Sequence, residues 1–85
     1  MSQGKNRKIK DPAKALGQAV RAYRHRLGIS QEELAFRAGL DRSYFGAVER
    51  GDRNITVKNI WRIALALESK PSDLFKVAEN LSEDF

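Results

Sequence analysis

Apolar residues recur along this chain at the spacing of helix faces, and the residues between those runs are equally ordered. Leu16, Val20, Tyr23 and Leu27 stand four, three and four positions apart, on one side of a helix. Asp11-Pro12 suits an N-cap followed by proline in the first turn, and Gly28 closes the segment. In "SQEELAFRAG", Ser30 and Glu33 stand in capping-box register and Gly39 takes the stop position, which predicts a second helix of about eight residues. Asp41 caps a third helix and Gly51 ends it. Thr56 caps a fourth, from Val57 to about Leu67, packed through Val57, Ile60, Ile63, Ala64 and Leu67. Pro71 opens a fifth that carries Leu74, Phe75 and Ala78. With no alternating strand pattern, the prediction is an all-α domain of five helices.

The third helix departs from the usual surface pattern. Phe45 and Val48 define its apolar side, while Ser43, Gly46, Ala47 and Arg50 fall opposite, where Lys, Glu or Gln would be ordinary. Only "GLD", Gly39 to Asp41, joins it to the second helix, so the two must cross sharply: helix-turn-helix spacing. A helix with small residues on its outer side suits entry into the major groove, where bulk would hold the backbone away from base edges. Arg42, at the helix start, has the fork that matches guanine O6 and N7. Ser43 suits a base or a phosphate, and the Ala47 methyl suits a thymine methyl. Arg50, Arg53, Asn54 and Lys58, with the Tyr44 hydroxyl, are placed to meet backbone phosphates.

Composition and charge agree with that partner. Eighty-five residues, 41% hydrophobic, suffice for one small core. Residues 1–70 hold fifteen basic and seven acidic side chains, and residues 71–85 one and four. A basic body with an acidic end favours phosphate backbones or anionic lipid. Residues 1–12 are expected to form a flexible basic arm, 13–79 the folded domain and 80–85 an acidic tail. In the arm, Lys5, Arg7, Lys8 and Lys10 either track a groove or stay disordered. No segment has the length to span a membrane or the core of a signal peptide, so a cytoplasmic location is expected. No cysteine and a single histidine, His25, exclude structural zinc sites and disulfides, and no nucleophile or acid-base constellation appears; no enzyme, cofactor or small-molecule ligand is expected.

From Leu16 to Phe75, through "SQEELAFRAGLDRSYFGAVERG", "NIWRIALAL" and "PSDLF", the chain resembles the Cro/cI-like (XRE) family of helix-turn-helix DNA-binding proteins. Within it, "GLDRSYFGAVERGDRNIT" looks most like controller proteins of restriction-modification systems. The resemblance implies a compact lambda-repressor-like domain and a transcription regulator bound to palindromic operators as a homodimer. It also implies a base- or phosphate-contacting side chain at Gln31, and a structural ion pair between Arg24 and Glu49. Many relatives have Ser in place of Gly46, and some have Gln or Arg in place of Ala47. On helix four, Trp61 and Leu65 lie about 100° and 140° from the core arc, which makes them candidates for the dimer seam, although Trp61 equally suits packing on the fifth helix. An antitoxin-like module using Trp61 and Leu65 to grip another protein is the alternative, and a membrane-surface role lacks an amphipathic anchor.

Overall fold

The computed structural model describes residues 11–82, and all regular structure in that span is helical. The helices are α1 (Pro12–Leu27), α2 (Gln31–Ala38), α3 (Arg42–Arg50), α4 (Val57–Ala66) and α5 (Pro71–Ser82). The basic residues of the arm, Lys5, Arg7, Lys8 and Lys10, and the last three residues of the tail lie outside the described span. α1 begins one residue earlier than the expected domain start, and α5 continues three residues past Glu79.

Each of the first four helices starts at a side-chain cap. Asp11, Ser30, Asp41 and Thr56 accept the N–H of Ala13, Glu33, Tyr44 and Asn59 at 3.0 to 3.1 Å, each such cap being worth about 1 kcal/mol. The capping box on α2 is half formed, because the Glu33 carboxylate pairs with Arg37 at 2.8 Å instead of reaching back to Ser30. Gly28, Gly39 and Gly51 end α1, α2 and α3 in the left-handed conformation. Gly51 is doubly constrained, since a Cβ there would also meet the Lys14 backbone.

α1 packs against α3 and α5, α2 against α3 and α4, and α4 also meets α5. Phe45, Leu34, Ile63, Leu74 and Val20 are the largest fully buried side chains, one from each helix. Three residues read as packing do so only in part or not at all. Val57 is 68% exposed, because it occupies the first turn of α4 on a side that no neighbouring helix covers. Leu27 and Phe75 are also partly exposed, Leu27 in the last turn of α1 and Phe75 on the rim of an apolar cleft between α1 and α5.

α1 approaches α3 where α1 lacks a side chain. A Cβ on Gly17 would lie 2.4 Å from the Val48 carbonyl oxygen and 2.6 Å from that of Glu49. Only a glycine lets these two backbones touch, and this contact sets the seat of the α3 C-terminal turn.

Candidate nucleic-acid interface

The turn between α2 and α3 is closed by backbone bonds from Gly39 N–H to Phe36 O and from Leu40 N–H to Ala35 O, at 3.1 and 2.9 Å. With Asp41 capping α3, Arg42 becomes the first helical residue, and both Arg42 and Ser43 are exposed. The rest of the outer side of α3 differs from the expected bare surface. Gly46 is buried beneath long side chains: its Cβ position lies 3.4 Å from Arg50 Nη1, 3.5 Å from Arg42 Nη1 and 3.7 Å from Gln31 Oε1. Ala47 is only 9% exposed, so its methyl is not presented to a thymine. Ser43 and Arg50 stay exposed on the same side, near the two ends of the nine-residue helix. The small residues admit a canopy of three polar side chains.

Beneath this canopy lies a buried polar network. Arg24 Nε donates to Glu49 Oε2 at 2.6 Å and Nη2 to Oε1 at 3.0 Å, with side chains 9% and 2% exposed. Arg24 Nη1 donates to the Ile29 carbonyl at 2.9 Å, tying in the turn between α1 and α2. Gln31 Nε2 donates to Glu49 Oε1 at 2.8 Å, a link that sequence spacing does not reveal because it spans eighteen residues.

Around the exit of α3, Arg50 pairs with Asp52 at 3.0 Å on the surface. The Arg53 guanidinium lies 5.1 Å from the Tyr44 ring centre, a cation–π arrangement. The Tyr44 hydroxyl accepts from Asn59 Nδ2 at 3.1 Å, leaving its own O–H to donate. Asn59, not singled out by the sequence, thus links α4 to α3. Lys58 is exposed at the start of α4. Asn54 is exposed too and lines the apolar cleft of about 380 Å³ beside Pro12, Leu16 and Phe75. Trp61 and Leu65 are 53% and 73% exposed on α4. Phe36, on α2, is 82% exposed and carried no distinguishing sequence signal. Among the described residues there is no cluster of His, Cys, Asp or Glu fit to hold a metal, and no helix is long and apolar enough to cross a membrane.

A short cap-to-cap turn joining α2 to a polar-faced α3 is the arrangement of a helix-turn-helix, and the helix-turn-helix family model matches residues 20–80. The chain belongs to that family, in its XRE-type branch. Family members similar to it include Control protein C.BamHI of Bacillus amyloliquefaciens, 46% identical over 59 residues that cover 68% of this chain and 73% of the relative. The restriction-modification controller protein C.AhdI from Aeromonas hydrophila superposes with a TM-score of 0.73 at 51% identity, covering 74% of this chain and 96% of that one. The controller protein C.Esp1396I, solved as a tetramer in complex with its natural 35 base-pair operator, gives a TM-score of 0.75 at 29% identity over 81% and 91% of the two chains.

Proposed function

We infer that this chain is a sequence-specific DNA-binding transcription regulator of the restriction-modification controller type, acting as a homodimer on a palindromic operator in the cytoplasm, without enzymatic activity. The observation that carries the reading is the joint one of family and site: a helix-turn-helix whose second helix opens with exposed Arg42 and Ser43 and whose exit bears Arg50 and Arg53. α3 enters the major groove from its N-terminal end. There Arg42 reads a guanine and Ser43 a neighbouring base or phosphate, with Gln31 beside them. Arg50, Arg53, Lys58 and the Tyr44 O–H meet phosphates, which supply affinity without sequence information. Gly46 acts through what it admits, by letting Gln31, Arg42 and Arg50 lie close to the helix.

Selection of bound duplexes from a random pool tests this reading, and a pool that yields no preferred sequence overturns it. With the operator in hand, Arg42→Ala is expected to cost roughly 1 to 3 kcal/mol of discrimination at one base pair per half-site. Equal losses on every duplex would instead make Arg42 a backbone contact.

A single domain covers one half-site, and pairing two multiplies the discrimination. Val57, Trp61 and Leu65, four residues apart, form an exposed apolar stripe along α4, which supports a seam there. Two copies joined in this way present their α3 helices one DNA turn, about 34 Å, apart. Leu65→Lys is expected to give folded monomers in sedimentation that keep only weak, salt-sensitive binding to any duplex. A dimer that survives the change moves the seam to another surface, such as that around Leu81.

A further inference from the structure

We propose that the outer row of α1, from Lys14 to Arg21, is a second phosphate-binding surface that carries the DNA contact beyond the helix-turn-helix; this rests on the DNA-binding reading above. Lys14, Gln18, Arg21 and His25 stand four, three and four residues apart, so they share one face of α1, and all four are exposed. The helix holds no acidic residue between Pro12 and Leu27. Asp11, at its mouth, is engaged as the N-cap, accepting the Ala13 N–H at 3.0 Å. Neither Lys14 nor Arg21 takes part in an ion pair among the described residues.

Two glycines decide where this row lies. Gly17, beside it on α1, lets the helix touch the Val48 and Glu49 backbone in the last turn of α3. At Gly51, which ends α3, a Cβ would meet the Lys14 Cγ and come within 2.7 Å of its Cα and 3.0 Å of its N. The first turn of α1 therefore rests on the exit of α3, and Lys14 continues the positive surface of Arg50 and Arg53. Arg21 follows about 10 Å further along the helix. A strand advances about 3.4 Å per phosphate along the duplex axis, so the two side chains are far enough apart to meet separate phosphates. The row has no apolar residue with which to anchor in a lipid surface. Arg26 is turned elsewhere: about 120° round the helix from Lys14, its guanidinium lies 4.7 Å from the Tyr23 ring centre.

The experiment measures binding to the selected operator and to an unrelated duplex across a range of salt concentrations, for the natural chain and for Lys14→Gln, Arg21→Gln and Arg26→Gln. Glutamine keeps the part of the Lys14 side chain that rests on Gly51. Lys14→Gln and Arg21→Gln are each expected to weaken both duplexes alike, by up to about eightfold at about 0.1 M salt. Each should also flatten the dependence of log affinity on log salt by about 0.9, the value of one phosphate contact. Arg26→Gln should change that slope much less. Replacing single operator phosphates with neutral methylphosphonates gives a second measurement: one substitution should weaken the natural chain but not Lys14→Gln, and another the natural chain but not Arg21→Gln. An unchanged slope in either variant, an equal flattening in Arg26→Gln, or a loss confined to the operator would overturn the proposal and leave the DNA-binding reading standing. A natural chain that binds no duplex would remove both.

Discussion

Glu49→Leu is expected to destabilise the domain by roughly 3 to 5 kcal/mol, the cost of leaving a buried charge without its partner. Arg24 would keep only the Ile29 carbonyl for a guanidinium that is 9% exposed. A folded span of this length has about 4 to 11 kcal/mol in total, so the single change should unfold much of the population near physiological temperature. The double variant Arg24→Met, Glu49→Leu removes both charges and should recover most of the loss. Urea midpoints of the two single variants and the double variant measure this. A Glu49→Leu midpoint equal to that of the natural chain would mean that the pair holds nothing together.

The second large effect is one of sign. Gly17 and Gly46 both sit inside helices, where alanine ordinarily gains up to about 1 kcal/mol over glycine. At Gly46 the nearest atoms to a new methyl are the ends of three flexible side chains at 3.4 to 3.7 Å, so Gly46→Ala should stabilise. At Gly17 they are backbone carbonyl atoms of Val48 and Glu49, nearer than 3.0 Å, and these move only if the last turn of α3 moves. Gly17→Ala should therefore destabilise by roughly 1 to 3 kcal/mol, as overpacking does, and should weaken operator binding more than non-specific binding. Denaturation of the two variants side by side checks the contrast. The same sign for both would show helix propensity, and not the α1–α3 contact, to be in control.

Gly17 also shows where the sequence was legible and where it was not. Helix starts and stops depend on local chemistry, and Ser30, Asp41, Gly39 and Gly51 announce theirs within three or four residues. The helix-turn-helix follows from those stops, because a three-residue connection leaves few ways to place the next helix. What one helix does to another has no such local mark. Gly17 lies in a good periodic helix and gives no hint that Val48 and Glu49 press on it. Val57 fits the apolar period of α4, yet nothing covers the first turn. Gly46 and Ala47 are recognisably small, but the burial of Gly46 comes from Arg42, Arg50 and Gln31 leaning over it, which depends on rotamers and, for Gln31, on a neighbouring helix. The Gln31–Glu49 bond is of the same kind, since each residue has an ordinary identity and only the fold brings them together.

The pairing of Arg50 with Asp52 bears on how much the positive charges around the exit of α3 can contribute to binding. A guanidinium already matched by a carboxylate at 3.0 Å carries its own counterion, attached to the chain and not drawn from solution. In the phosphate contact proposed for Arg50, the cation condensed on the phosphate is released whether or not a carboxylate stands near, but Asp52 competes with the phosphate for the guanidinium. Arg53, seated on the Tyr44 ring, and Lys58 have no anionic partner of this kind among the described ion pairs. On that reading the number of positive charges around the exit of α3 overstates the affinity they can supply, since one of them is shared with a carboxylate of its own chain.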